Sequence, residues 1–188
     1  MQRPVDYRLY LVTDRDLCLG RDLGDVVARA GAGGVTMVQL REKTAPTREF
    51  VELGRALQAL LAPLGVPLLI NDRLDVALAV GAAGVHLGQH DMPVAEARRI
   101  LDTGLGPQAI LGLSVEDLDQ LRAAEELPAG MVDYYGLSPI FLTPTKTDAG
   151  PGWGLSGLSR ARAVVSAGSR RPLVAIGGVH AVHAEAVL

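Results

Sequence analysis

The sequence is short of the features that mark several whole classes of protein. It holds one cysteine, Cys18, in 188 residues, so it forms no intramolecular disulfide and is no disulfide-stapled secreted scaffold. It has no basic surplus. Eighteen Lys and Arg stand against 21 Asp and Glu, for a net charge of −3. The two signs are interspersed, unlike the concentrated basic surface of a nucleic-acid binder. No apolar run approaches the ~20 residues that span a bilayer. The amino terminus, MQRPVDYRLYLVTD, lacks the basic-then-apolar order of a signal peptide. These absences predict a soluble, cytoplasmic protein with neither nucleic acid nor membrane as partner, and leave homo-oligomer formation open. No GxGxxG follows the first apolar run, which argues against a dinucleotide-binding turn.

What is present is ordinary globular composition, 48% apolar and 21% charged, at a length that suits one domain. Short apolar runs recur at 8–14, 34–42, 67–72, 84–89, 109–115, 132–141 and 172–179. Most are continuous rather than alternating, as in strands buried on both faces of a parallel sheet. Between them the spacing turns helical. Phe50, Leu53, Leu57, Leu60, Leu61 and Leu64 form one stripe, with Gly65 placed to end the helix. Further helices are expected over about 22–31, 73–81, 93–102, 116–127 and 157–168, with a last one starting near Ala181. Strand–helix alternation with short joints means a parallel sheet covered by helices, either an open doubly wound sheet or a closed barrel. An internal echo, GAGGVTMVQ (31–39) and GAAGVHLGQ (81–89), puts a glutamine at the carboxyl end of two strands; generic strand–helix grammar explains so short a match equally well.

Polar groups collect at the predicted carboxyl ends of the strands, where α/β barrels carry their active sites. In QLREK (39–43), Arg41 and Lys43 would share a face of an extended chain and suit a diphosphate; surface ion pairs at a strand exit explain them as well. Asp72 in INDR and Asp91 in GQHDMP each follow a strand. Magnesium takes one or two carboxylates plus phosphate and water, but each aspartate also fits a helix cap. Residues 143–147 read Thr-Pro-Thr-Lys-Thr, hydroxyls and a lysine that could wrap a phosphate, and three glycines follow by residue 154. Either a closing loop or a plain connection fits that stretch. Paired glycines in AIGGV (175–179) permit close approach to an anion or simply a tight turn. His86, Tyr134, Tyr135 and Trp153 read as core.

VQLREK, LLINDRLDVALAVGAAGVHLGQHDMP, PIFLTPTKTDAG and VAIGGV, in that order, closely resemble the thiamine phosphate synthase family over almost the whole chain. The resemblance implies an α/β fold of the (β/α)8 TIM-barrel type. It implies a transferase that joins a pyrimidine diphosphate to a thiazole phosphate, giving thiamine phosphate and pyrophosphate. It implies Mg2+ on Asp72 and Asp91. Pyrimidine diphosphate would be bound by Gln39, Arg41, Lys43, Asn71, Ser114 and Lys146, with Arg41, Lys43 and Lys146 catalytic. Thiazole phosphate would be held by Thr143, Pro144, Thr145 and Gly178. His90 and Ser138 depart from the family pattern, at positions where an acidic residue and glycine are expected. A thiazole tautomerase-like isomerase and a non-catalytic thiazole-phosphate binder are the alternatives; the tautomerases tend to lack the paired aspartates and the Thr-Pro-Thr-Lys stretch. The chain stops at Leu188 inside the helix after the seventh strand. Residues 1–188 are therefore read as one barrel domain, lacking the eighth strand and last helix.

Overall fold

The computed structural model describes residues 5–141 and 152–187. In chain order the elements are β1 (Tyr10–Val12), α1 (Leu23–Ala32), β2 (Met37–Leu40), α2 (Thr47–Leu61), β3 (Leu68–Asn71), α3 (Leu74–Val80), β4 (Gly84–Leu87), α4 (Val94–Gly104), β5 (Ile110–Val115), α5 (Leu118–Glu125), β6 (Tyr134–Leu137), α6 (Gly154–Ala167), β7 (Leu173–Ala175) and α7 (Ala184–Val187). Strand and helix alternate throughout, and the strand pairs are parallel. This is the α/β class of the (β/α)8 TIM-barrel type, with seven strands and no eighth among the described residues. The chain divides into two compact units, Met1–Leu87 with Ala95–Ile110, and Gly88–Val94 with Leu111–Leu188.

In the first unit β1 pairs with β2, β2 with β3 and β3 with β4, in the registers Val12↔Gln39, Gln39↔Leu69 and Leu69↔Gly84. β2, β3 and β4 are buried at every residue, which accounts for their continuous apolar runs. Gly84 is dictated by backbone approach, since a Cβ there would collide with the main chain of Ile110. The α2 stripe forms largely as expected. Phe50, Leu57 and Leu61 are fully buried, each contributing roughly 1.5–3 kcal/mol of apolar burial. Leu64 departs from the stripe. The helix ends at Leu61 and the chain tightens into a 3-10 turn, Ala62–Leu64, which leaves Leu64 exposed. Gly54 is buried in its place, and a Cβ there would meet Val80 at 2.8 Å, so α2 and α3 approach closely.

In the second unit β5 pairs with β6 and β6 with β7, through Leu113↔Tyr135 and Tyr135↔Leu173. Tyr134 is fully buried because residue 112 is glycine; any side chain there would run into its ring. The helix after the long connection starts at Gly154, three residues earlier than its apolar spacing suggests. The reason is a backbone staple. The Trp153 N–H donates to the Pro139 carbonyl at 2.9 Å and the Gly154 N–H to the Ile140 carbonyl at 2.8 Å. The two ends of the connection are thereby bonded to each other. Asp22 and Asp117 cap α1 and α5 through their carboxylates, about 1 kcal/mol each. Among the described residues no helix is long and apolar enough to cross a membrane.

The internal echo does not mark a structural repeat. Gly31 lies inside α1, whereas its counterpart Gly81 ends α3 with φ 69. Gln39 lies on β2, but Gln89 falls beyond β4. Similar letters therefore occupy different positions relative to their strands.

Candidate active site at the carboxyl ends of the strands

In the first unit the predicted residues Gln39, Arg41, Lys43, Asn71 and Asp72 stand at or just beyond the carboxyl ends of β2 and β3. Gln39 is 3% exposed, and its amide Nε2 donates to the Tyr10 hydroxyl at 2.7 Å, which fixes the side chain against β1. β2 ends at Leu40, so the alternation expected of Arg41 and Lys43 on an extended chain does not continue through them. Side-chain contacts order this exit instead. The Arg41 N–H donates to the Oγ1 of buried Thr13 at 3.0 Å. The Arg41 guanidinium lies 3.8 Å from Asp14, an ion pair too long for a hydrogen bond. Lys43 is exposed and has no ion pair among the described residues.

Glu42, between the two cations, has a side chain only 6% exposed. Arg15 Nε donates to it at 2.8 Å and Arg15 Nη1 donates to Glu49 at 2.6 Å. The pKa of Arg15 is raised, chiefly by the bond to Glu49; partial burial opposes this and Glu42 adds to it. Asp14 is oriented by the chain itself, its Oδ1 accepting from the N–H groups of Asp16 and Leu17. Thr13, Asp14 and Arg15 did not stand out in the sequence. The signal that could have found them is a second polar triplet, at the end of the strand that pairs with β2.

Asn71 ends β3 and is buried. Asp72 is exposed, with φ 62, a left-handed conformation rare outside glycine and tolerated by aspartate because its short side chain can bond locally. Its N–H donates to the His86 carbonyl at 2.9 Å, so the conformation is pinned at both β3 and β4. The helix cap expected of Asp72 falls on Arg73, which makes no side-chain cap bond. Asp72 itself stands between the end of β3 and that cap residue.

In the second unit, Asp91 Oδ2 accepts from the Gly88 N–H at 2.6 Å, and Gln89 Nε2 donates to the Ser114 carbonyl. This holds the turn after β4 against β5. Gly177 and Gly178 take φ 88 and 67. The two glycines have different reasons. A Cβ on Gly177 would stand 2.8 Å from Pro139, so packing requires that glycine. The Ile140 and Phe141 N–H groups donate to the Ile176 and Gly177 carbonyls, each at 2.9 Å. For Gly178 the positive φ is itself the reason, since side chains other than glycine rarely adopt it. Thr143, Pro144, Thr145 and Lys146 lie outside the described residues.

The carboxylates of Asp72 and Asp91 are hard oxygen donors, the kind magnesium takes. Among the described residues no group of three or more His, Cys, Asp or Glu gathers into a metal cage. Magnesium commonly takes only one or two carboxylates and completes its shell with phosphate and water, so the lack of a larger cage does not conflict with that donor chemistry.

A family model described as thiamine monophosphate synthase matches residues 9–188. A thiamine-phosphate synthase of Albidiferax ferrireducens is 57% identical over 181 residues, covering 96% of this chain and 78% of the relative. One from Azorhizobium caulinodans is 51% identical over 188 residues, covering 100% of this chain and 84% of the relative. Among solved structures, a thiamine phosphate pyrophosphorylase from Pyrococcus furiosus superposes with TM-score 0.80 at 39% identity, covering 96% of this chain and 80% of that one.

Proposed function

Since this chain belongs to the thiamine monophosphate synthase family, we propose that it joins 4-amino-2-methyl-5-(diphosphooxymethyl)pyrimidine to 4-methyl-5-(2-phosphooxyethyl)thiazole, releasing pyrophosphate. The observation that supports this most is the cationic exit of β2. Arg41 is tied through its backbone to Thr13 yet only loosely paired with Asp14, and Lys43 is exposed two residues on.

The chemistry asked of the protein is modest. The methylene C–O bond of the pyrimidine substrate breaks, and both electrons leave with pyrophosphate. The resulting pyrimidinylmethyl cation is captured by the thiazole nitrogen lone pair, which forms the new C–N bond. No protein nucleophile is needed. The protein must stabilise charge on the departing group and hold two rings in place. Arg41, Lys43 and Lys146 would meet the developing negative charge. Gln39, Asn71 and Ser114 would orient the pyrimidine. Thr143, Pro144, Thr145 and Gly178 would hold the thiazole phosphate. Asp72 and Asp91 would hold magnesium, which when bound offsets the charge of the diphosphate. The enzyme would work in the cytoplasm on small-molecule substrates, with residues 1–188 contributing one barrel domain that lacks the eighth strand and last helix.

The test is pyrophosphate release in the presence of magnesium. Release is expected when both substrates are supplied and to cease when magnesium is chelated. A chain that binds thiazole phosphate but releases no pyrophosphate with both substrates present would overturn the reading.

A further inference from the structure

The inference drawn here rests on the proposed role of Arg41 and Lys43 as cations for the diphosphate. Between them sits Glu42, a carboxylate that works against that role. Its side chain is 6% exposed, and a carboxylate so enclosed is strongly destabilised without a partner. Arg41 and Lys43 are its immediate neighbours in sequence. Either would be drawn toward Glu42 if nothing else neutralised it, and the substrate would then compete with an internal anion.

The structure supplies another partner from a different strand. β1 and β2 are parallel, with Val12 opposite Gln39, so the residues that follow the two strands run alongside each other. Thr13 takes the Arg41 N–H, and Arg15 reaches Glu42 at 2.8 Å. The other arm of the same guanidinium reaches Glu49, in the first turn of α2, at 2.6 Å. One planar fork thus joins Glu42 to a helix, a geometry that the point charge of lysine does not reproduce. Arg15 itself is 42% exposed at the side chain, so burial is not what requires an arginine there.

We infer that Arg15 is a positioning residue for the anion site: by engaging Glu42 it keeps Arg41 and Lys43 available to the diphosphate. It does so without touching the ligand.

The experiment is calorimetric titration of the full chain with pyrophosphate in excess magnesium, with thermal melting of each variant alongside. Arg15→Gln is expected to weaken pyrophosphate binding on the order of tenfold, because Glu42 then competes for the neighbouring cations. Arg15→Gln combined with Glu42→Gln is expected to restore binding to within about threefold of the wild type, since the competing charge is gone. Arg15→Lys keeps a charge but not the fork and should fall between; compared with Arg15→Lys combined with Glu42→Gln, it carries the test if Arg15→Gln does not fold. Wild-type affinity in Arg15→Gln overturns the inference, as does a double variant no tighter than the single one. Arg41→Gln separates the two levels. If it loses pyrophosphate while Arg15→Gln does not, the proposed site stands and the role of Arg15 falls. If the wild type does not bind pyrophosphate, or Arg41→Gln binds it normally, both fall.

Discussion

Two arginines, one in each unit, bridge strand and helix, and they do so in opposite ways. Arg171, two residues before β7, has Nε on the Val132 carbonyl at 2.9 Å and Nη1 on the Tyr135 hydroxyl at 2.7 Å. The same Nη1 lies 3.1 Å from Glu125, with both side chains 10% exposed. Glu125 also accepts from Ser169 Oγ at 2.6 Å and from the Ser169 N–H at 2.9 Å. The Tyr135 hydroxyl has both the Ala124 carbonyl and Glu125 within hydrogen-bond distance, and they share its one proton. This cluster ties the end of α5 to β6 and β7, and its partners are one another. Arg15 and Arg41 form the other kind of cluster. Arg41 stands 3.8 Å from Asp14, Lys43 is exposed, and Arg15 engages the carboxylate between them. A closed polar network stabilises a fold. A network that leaves cations underused can receive a ligand.

That contrast can be broken by mutation, and the largest effects should fall on turnover. Lys146→Ala is expected to lower kcat on the order of 10²–10³-fold, as for removal of one preorganised donor, measured as pyrophosphate release. Asp72→Asn should lower kcat by at least about 10²-fold with little change in melting temperature, because asparagine tolerates the left-handed backbone but is a poor magnesium ligand. A matching loss of thermal stability would instead mark Asp72 as structural. Next in size is Arg171→Ala. It should destabilise the fold by about 1–3 kcal/mol in denaturant titration, since it takes one charged partner from the enclosed Glu125, which keeps its bonds from Ser169 and Tyr135, and leave pyrophosphate affinity unchanged in the folded fraction. A change in affinity there would erase the distinction between the clusters.

The smallest effect sharpens the closed cluster by pH. Burial alone would raise the Glu125 pKa, but hydrogen bonds from Ser169, then Tyr135, and the Arg171 charge outweigh it, and the net shift is downward. A depressed carboxylate contributes stability that is fully present above its unfolded pKa, about 4.3, and is lost as pH falls through the folded value. Glu125→Gln should therefore be less stable than the wild type at pH 7 and show a shallower loss below about pH 4. Equal acid slopes in the two proteins would contradict this. Tyr135, raised well above the ordinary phenol range by burial and then by Glu125, stays protonated across the whole window and adds nothing to the slope.

Much of this was legible in residue order. Runs such as PLLIND and GVHLGQ announced buried parallel strands, and β3 and β4 fall inside them. The stripe from Phe50 to Leu61 announced α2. The candidates Gln39, Arg41, Asn71 and Asp72 could be named because strand ends can be found from apolar runs. Other features were not legible. The start of α6 at Gly154 depends on carbonyls of Pro139 and Ile140, more than ten residues earlier in the chain. The exposure of Leu64 depends on a switch to 3-10 geometry that apolar spacing does not encode. The echo around Gln39 and Gln89 misled because matching letters can sit at different offsets from a strand.

By itself the sequence determined the fold class, the family and the residue types at each strand end, since burial periodicity and turn chemistry act over a few neighbouring residues. It did not determine which charge answers which. Glu42 could have paired with Arg41 or Lys43 beside it, and Asp72 could have capped its own helix. Tertiary structure gave Glu42 to Arg15, 27 positions away, and held Asp72 in a left-handed turn by the His86 carbonyl. The physical reason is that parallel strands bring distant segments into hydrogen-bond range.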